Sequence, residues 1–210
     1  MPPKYAPKID ILFDITTLPG LIFSAINFAA AQVICRIFRT FATGVTHYRT
    51  MRRFKQQLPP DEAEQIMATA TNGTLSLVDS RGEPYGVPMS FVSDGAQRIY
   101  FHCAREGRKM ECLRACGRAS FCIVAQDDVQ PATFTTYYRS VIASGRIAAV
   151  DDRDETVAAL RMLCAKYSPG IDPAREIEGA IDRVAILRLD IGSATGKEAI
   201  ELTRRRETER

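Results

Sequence analysis

The sequence predicts a mainly β fold with flanking helices, built on an antiparallel sheet or small barrel. Between Thr74 and Cys103, three β-rich segments follow one another through tight turns, which is the pattern of an antiparallel meander. Two further β-rich segments, Tyr137 to Val150 and Val184 to Ile191, come later. With 46% hydrophobic residues in a chain of 210, there is enough apolar side chain for a real core.

The first predicted helix begins at Pro59-Pro60 and runs to about Ala70. Proline needs no N–H in a first helical turn, and Asp61 and Glu62 suit the positive end of the helix dipole. The meander follows, with strands at Thr74–Val78, Tyr85–Val92 and from Arg98, and turns at 79–82 and 93–95.

The stretch from Arg98 to Gly117, RIYFHCAREGRKMECLRACG, reads as a strand that runs into a helix. Alternation places Ile99, Phe101 and Cys103 on one face of the strand, and Tyr100 and His102 on the other. The turn holds Gly107, Arg108 and Lys109, and free N–H groups with cationic side chains can hold a phosphate there. The alternative is a solvated helix end with a basic first turn.

The second half of the chain alternates strands and helices. Ser144-Gly145 predicts a bend in the long strand, and Asp151-Asp152 predicts the cap of the helix that follows it. The other predictions are a strand at 119–125, a polar loop at 127–132, a helical stripe of Val157, Leu160, Cys164 and Tyr167, a break at 168–170, a helical piece at 174–180 and a solvated tail around Arg204–Glu207.

The first fifty residues differ from the rest. Residues 15 to 35 carry no charge and are long enough to span a bilayer, although Pro19 and Asn27 weaken that interpretation. A cleaved signal with a small-residue site at 29–31, a loosely ordered extension, and a biological start at Met51 are the alternatives. We therefore predict an extension at 1–50, a domain at 51–201 and a charged tail at 202–210. The expected location is the cytoplasm, with membrane association through residues 15–35 left open.

Charge and cysteine usage exclude several classes of function. The net charge of +3 arises entirely within residues 1–50, so the rest of the chain does not resemble a nucleic-acid binder. Six cysteines without paired spacing indicate reduced thiols, and Cys112 and Cys116 are expected to be small buried hydrophobes. With two histidines and no CxxC, no metal site is predicted.

The order of elements resembles the split-barrel flavoproteins related to pyridoxamine 5′-phosphate oxidase, and is most similar to their nitroimidazole-resistance (Nim) type. The resemblance covers Met51 to about Glu201. Its stretches are MRRFKQQLPPDEAEQIM, GEPYGVPMSFV, RIYFHCAREGRKMECL, YYRSVIASGRIAAV and VAILRLDI. It implies an antiparallel FMN-binding split barrel, with two chains pairing as a homodimer around flavin mononucleotide (FMN).

The resemblance also implies a set of cofactor-binding residues. A strand containing Val87, Pro88, Met89 and Ser90 would line the isoalloxazine ring. The remaining implied positions are His102 and Ala104 beside the ribityl chain and phosphate, Arg108 and Lys109 on the phosphate, and Tyr138 and Ser140 approaching from the partner subunit or the barrel rim.

The function expected from this resemblance is an FMN-dependent oxidoreductase that reduces a small electron-poor substrate, such as a nitroaromatic. NADH or NADPH would be a donor, and His102 would be the catalytic residue, because an imidazole exchanges protons near neutral pH. The tail GKEAIELTRRRETER offers no match to the basic residues of the true oxidase. The alternative is a protein that holds flavin, haem or a deazaflavin as a sensor or store without turnover.

Overall fold

Eight strands form one mostly antiparallel sheet flanked by five α-helices, within the part of the chain that the computed structural model describes, residues 47–48, 51–95 and 97–209. These residues lie in one compact unit, Val45–Arg210. The predictions made for residues 15–35 and 29–31 fall outside the described residues.

The bounds of the elements follow the predicted order. The strands are β1 His47–Tyr48, β2 Asn72–Val78, β3 Pro84–Ser90, β4 Val92–Ser93, β5 Arg98–Ala104, β6 Arg118–Gln130, β7 Thr135–Ala149 and β8 Val184–Glu198. The helices are α1 Pro60–Thr69, α2 Arg108–Ala115, α3 Arg153–Tyr167, α4 Ala174–Ala180 and α5 Ile200–Thr208, with 3₁₀ turns at Phe54–Gln56 and Pro131–Thr133.

The sheet curls into an open barrel. Its strand order is β3-β2-β6-β7-β8-β5-β4, and only Phe91 separates β3 from β4 along the chain. One short stretch of chain therefore borders both ends of the sheet and brings them together without continuous pairing. The predicted fold class, a mainly antiparallel split barrel with flanking helices, is confirmed.

The predicted meander is present, but its middle strand is interrupted at Phe91. Residues 84–90 pair with β2 and residues 92–93 pair with β5. At the interruption, the hydroxyl of Tyr167 on α3 accepts a hydrogen bond from the Phe91 N–H at 2.9 Å and lies 2.9 Å from the Phe91 carbonyl oxygen. The same hydroxyl contacts the carbonyl oxygen of Thr71. A side chain thus replaces the strand partners that Phe91 lacks.

Two apolar clusters lie on opposite faces of the sheet. The predicted alternation of β5 is confirmed, since Ile99, Phe101 and Cys103 are buried inside the barrel and Tyr100 is buried in the outer cluster. Inside, the ring of Phe121 meets those of Phe91 and Phe101 edge to face, at centroid distances of 4.8 and 4.9 Å. Outside, the residues of α3 and α4 that cover the sheet are Ala159, Leu160, Leu163 and Ile177.

Several predicted bounds are corrected. Residues 127–130 belong to β6 rather than to a loop, because they pair with residues 135–138 of β7 after a register shift near Gln126. The α3 stripe is centred on Ala159, Leu160 and Leu163, while Tyr167 is exposed. Cys112 is buried as expected, but Cys116 follows the last turn of α2 in an extended conformation and is only half-buried.

The stretch predicted as a solvated tail is helical, and Arg204, Arg205 and Glu207 on it are exposed, as predicted. Arg206 of α5 lies 2.8 Å from the fully buried carboxylate of Glu198 and 3.4 Å from Glu62 of α1. Arg139 of β7 reaches the other oxygen of Glu198 at 3.3 Å. These ion pairs dock α5 against the sheet.

The sheet also extends before Met51. The backbone of β1 pairs in parallel with Ser193-Ala194 of β8, beyond the point where β5 stops pairing. Among the described residues, no helix has the length and apolar character needed to cross a membrane.

Candidate functional site

The junction between β5 and α2 is open to solvent. His102 and Ala104 are exposed on the outer face of β5, directly opposite Ile186 and Val184 of β8. Gly107 has φ +107°, a conformation that disfavours any residue with a Cβ, and a Cβ added there would meet no described atom within 4 Å beyond its chain neighbours.

The first turn of α2 is not capped by a side chain in the described structure, and its first backbone bond runs from Glu111 N–H to the Gly107 carbonyl at 3.1 Å. The N–H groups of Arg108, Lys109 and Met110 precede that bond in the helix, so they remain available to an acceptor. The positive end of the helix dipole and two cationic side chains therefore coincide at an exposed turn.

Arg108 also contacts the barrel. Its guanidinium lies 4.4 Å from the centre of the Tyr85 ring on β3, a cation–π contact that ties α2 to that strand. Arg108 borders a groove with Asp79 and Glu111 on the side of α2 that faces the β2–β3 turn. Hydrogen bonds from the backbone N–H groups of Glu83 and Arg81 lower the pKa of Asp79, so this carboxylate stays ionised beside the arginine.

The predicted flavin-facing strand presents two different faces. Pro88 and Ser90 are exposed, whereas Met89 is buried and Val87 is half-buried towards the core. In the described sheet, β3 pairs with β2 alone, which leaves the backbone of its other edge without a strand partner. Across the split, β3 approaches β5. The outward residues of β3 and β5 therefore belong to one end of the molecule together with α2.

Tyr138 and Ser140 lie elsewhere. Ser140 pairs with Lys197 near the far end of β8, and the ring of Tyr138 lies 5.2 Å from the Lys197 ammonium. His102 pairs with Ile186 near the start of the same strand. Eleven positions separate Ile186 from Lys197, or up to about 36 Å at ~3.3 Å per residue. Within one chain, His102 and Ser140 are therefore paired with opposite ends of β8.

Two residues at the junction were missed by the sequence analysis. The sequence pattern placed Tyr85 in a strand and gave no indication of its contact with Arg108. Arg105 donates a hydrogen bond from Nη2 to the carbonyl oxygen of Ile181 at 3.1 Å, after a separation of 76 residues in sequence. No local pattern could have indicated that partner.

The outer face of β5 and β8 is fixed to α3 by a cluster of polar side chains. Arg188 donates to both carboxylate oxygens of Glu155 at 3.0 and 2.9 Å, and the Tyr100 hydroxyl donates to Glu155 at 2.8 Å. Burial alone would raise the pKa of Glu155, but the hydrogen bonds from Tyr100 and Arg188 outweigh it and lower the pKa. Burial also raises the pKa of Tyr100. The cluster attaches α3 to the face of β5 that also carries His102.

The surroundings of two cysteines near the junction disfavour the thiolate form, which is the reactive one. Cys103 and Cys112 are buried, and burial raises the pKa of both thiols. Among the residues that the structure describes, no group of three or more potential ligands could hold a metal ion.

The comparison with protein families decides where this fold belongs. The sequence pattern of the family described as pyridoxamine 5′-phosphate oxidase matches residues 59–198, from the start of α1 to the end of β8. The chain belongs to the pyridoxamine 5′-phosphate oxidase family. The resemblance inferred from the strand order and the junction motif is thereby confirmed. A comparison with curated proteins finds no match.

Solved structures of the same fold include a candidate 5-nitroimidazole antibiotic resistance protein from Bacteroides thetaiotaomicron, at 21% identity and a TM-score of 0.58, covering 68% of this chain and 86% of that one. The flavocytochrome Anf3 from Azotobacter vinelandii is 22% identical with a TM-score of 0.59, covering 75% and 76%. An FAD and heme binding protein from Mycobacterium smegmatis is 20% identical with a TM-score of 0.59, covering 69% and 73%. At these identities, the similarities establish the fold alone.

Proposed function

We propose that this member of the pyridoxamine 5′-phosphate oxidase family binds FMN and reduces a small electron-poor organic substrate, such as a nitroaromatic. The observation that carries the proposal is the β5–α2 junction, where an uncapped helix start, Gly107 and two cationic side chains meet beside an exposed histidine.

The junction fits the phosphate of FMN. A dianionic phosphate suits free N–H groups at the positive end of α2, and Arg108 and Lys109 can add charge-assisted hydrogen bonds. The open space at Gly107 lets the ligand approach the backbone closely. The exposed side chains of Pro88, Ser90, His102 and Ala104 leave the adjoining faces of β3 and β5 free for the rest of the cofactor.

Bound FMN would supply the hydride chemistry, and the protein would supply position and proton transfer. His102 projects from a rigid strand into solvent, so its imidazole can donate a proton to a substrate placed over that face. The Tyr85 ring would hold the Arg108 guanidinium in place and reduce the entropy lost when the phosphate binds.

A homodimer is part of the proposal. Tyr138 and Ser140 lie at the opposite end of β8 from His102. If all of these residues contact flavin, Tyr138 and Ser140 must reach the flavin held by a second copy of the chain. The homodimer thus reconciles the predicted residue set with the geometry of one chain.

The proposed FMN binding is tested on the full chain by its absorption spectrum and by mass analysis of the released cofactor. We expect a yellow protein that releases FMN, is reduced anaerobically by NADH or NADPH, and is reoxidised by an added nitroimidazole. A colourless protein that takes up neither FMN nor FAD would refute the flavin assignment. Reduction without reoxidation by any nitroaromatic would refute the reductase.

The phosphate site is tested by Arg108→Ala with Lys109→Ala. We expect at least a hundredfold weaker FMN binding, because two charge-assisted contacts are lost. Arg114→Ala, at the other end of α2, serves as a control that removes one cation without touching the junction. Tight FMN binding in the double variant would show that the phosphate lies elsewhere.

The second candidate is a non-catalytic binder. It is favoured by the flavocytochrome and by the FAD and heme binding protein, which share the fold. A protein that holds flavin or haem tightly but transfers no electrons to nitroaromatics would support this function. If the protein is a reductase, His102→Ala tests the role of the imidazole, since it should slow substrate reduction about tenfold or more while leaving FMN bound.

A further inference from the structure

A cavity of about 310 Å³ lies where α2, the start of α3 and Ile181, just after α4, meet the sheet. This volume is at the lower end of the range for small-molecule sites. Its lining combines charged side chains, Arg105, Arg153 and Asp151, with apolar ones, Met110, Val150, Ile181, Val184 and Ile186. A lining of this mixed kind suits a molecule with an apolar body and a single charged group.

The cavity adjoins the face that carries His102. Ile186 and Val184, which line it, are the direct cross-strand partners of His102 and Ala104, and such pairs lie about 5 Å apart between Cα atoms. Met110 of α2 lines the cavity, whereas Arg108 lines the groove on the other side of the helix. The cavity is therefore distinct from the Arg108 groove and close to the proposed reaction site.

The charges around the cavity favour one negative charge on the ligand. Arg105 uses one N–H on the carbonyl of Ile181, and a guanidinium has five donors. Arg153 lies 3.8 Å from Asp182, but both side chains are mostly exposed, so this pair is weak and can open. Asp151 is the carboxylate that lines the cavity within the described structure. Among the lining residues, two cations therefore accompany one anion, an excess of one positive charge that Asp182 offsets only while its exposed pair with Arg153 is closed.

We propose that this cavity binds the carboxylate end of a small aromatic substrate, with Arg105 and Arg153 as its anion partners. The assignment as substrate rests on the proposed reductase function, and it narrows the substrate class to electron-poor aromatic carboxylates. Asp151 opposes a second negative charge and disfavours phosphate esters.

The test compares two probes that differ in charge, 4-nitrobenzoate and 4-nitrobenzyl alcohol. Calorimetric binding to the full-length protein as purified should favour the carboxylate at least tenfold, equivalent to about 1.4 kcal/mol. Arg105→Ala should reduce that ratio to near one, while Arg105→Lys should retain part of it. Arg114→Ala, a cation near the end of α2 that does not line the cavity, should leave the ratio unchanged.

A second variant is needed because Arg105→Ala also removes the hydrogen bond to the Ile181 carbonyl and could disturb the local fold. Asp151→Asn removes the opposing charge without removing a partner of the ligand, so it should tighten binding of 4-nitrobenzoate several-fold and leave the alcohol unaffected. A purely structural role for Asp151 would not produce this selective gain.

Binding of the two probes and reduction of 4-nitrobenzoate are measured separately, because the first tests the carboxylate site and the second tests the reductase function. Equal binding of the two probes, or an unchanged ratio in both Arg105→Ala and Asp151→Asn, overturns the carboxylate site. Loss of FMN from Arg105→Ala would also overturn it, because the cavity would then belong to the cofactor. A carboxylate preference in binding without any reduction of 4-nitrobenzoate would leave the site standing and refute the reductase function.

Discussion

Single side chains attach the helical layer to the barrel, and Glu155 is central among them. Its carboxylate accepts from Tyr100 and Arg188 and lies 3.9 Å from Arg98. The pKa of Glu155 is lowered in the folded state, so the unfolded chain binds its proton more readily. The stabilisation is therefore complete above the unfolded pKa of about 4.5 and is lost as the pH falls through the lower, folded value.

Glu155→Gln should reduce the free energy of unfolding by about 1–3 kcal/mol at pH 7, since charged hydrogen bonds are weakened in a partly buried site. The difference from the unsubstituted protein should shrink as the pH falls below 4.5. Urea unfolding at pH 7 and pH 4 measures it. Glu178→Gln, on the exposed face of α4, serves as the matched control. A constant difference at both pH values would contradict the lowered pKa.

Lys166 represents the opposite case, a charge that folding disfavours. Its ammonium is buried, has no hydrogen-bond partner among the described residues, and lies 4.1 Å from the centre of the Phe91 ring. Burial lowers its pKa below 10.5. Between the pKa of Lys166 in the folded protein and 10.5, the unfolded chain therefore binds more protons than the folded one. The contribution of Lys166 to the free energy of unfolding rises with pH across that interval.

Lys166→Met keeps the length of the side chain and removes the charge. We expect its stability relative to the unsubstituted protein to decline as the pH rises towards 10.5, because only the lysine form gains stability there. Thermal unfolding at pH 7 and pH 9.5 detects the change, with Lys55→Met as an exposed control. Parallel pH profiles for the Lys166 variant and the unsubstituted protein would show that the ammonium is not destabilised.

At the scale of elements, local signals predicted those features that depend on neighbours in sequence. The start of α1 at Pro60, the Asp152 cap that accepts from Glu155 N–H, and the irregularity at Ser144/Gly145 are all confirmed. The interruption at Phe91 was not predictable, because it depends on Tyr167 from a distant helix. The docking of α5 similarly depends on the buried Glu198, whose partner Arg139 lies on another strand.

The bend in β7 provides a sharp test of an element. A Cβ placed on Gly145 would lie 1.9 Å from the carbonyl oxygen of Asp190, so the two strands could not remain in register. Gly145→Ala should cost about 3 kcal/mol or more, or abolish folding. Gly179→Ala, where an added Cβ meets open space within the helical fold of α4, should instead stabilise by about 0.5–1 kcal/mol. Chemical denaturation of both variants measures the contrast, and similar effects would contradict the close approach at Gly145.

At the scale of the whole molecule, family membership could be predicted because the order of strands, turns and junction motif is preserved along the chain. The cofactor site could be predicted only in part. The position of Arg108 and Lys109 at the strand-to-helix turn predicted a phosphate site. Tyr85 and Arg105 could not be predicted, because their contacts with Arg108 and Ile181 form only in the folded chain. The boundary at Met51 stays a prediction, and β1 falls just before it.

Two chain lengths test that boundary. A chain starting at Met51 lacks β1 and exposes the edge of β8 at Ser193-Ala194, whereas a chain starting at Val45 retains it. We expect the shorter chain to be less stable by about 1–2 kcal/mol, the net value of one or two backbone hydrogen bonds. Calorimetric unfolding midpoints compare them, and equal midpoints would show that β1 contributes nothing to the sheet.

The position of β8 has a consequence for how the protein is made. Among the described strands it is the last to leave the ribosome, yet it lies in the middle of the sheet, between β7 and β5. A nascent chain that ends before Val184 can already pair β2 with β3 and β6, and β6 with β7. Without β8, however, β5 can pair only with β4 and is not joined to that sheet. Pairing between distant parts of a chain is slow to form. Barrel closure should therefore be a late event in synthesis, and until then the apolar face of β5 depends on chaperones or on its own hairpin for protection.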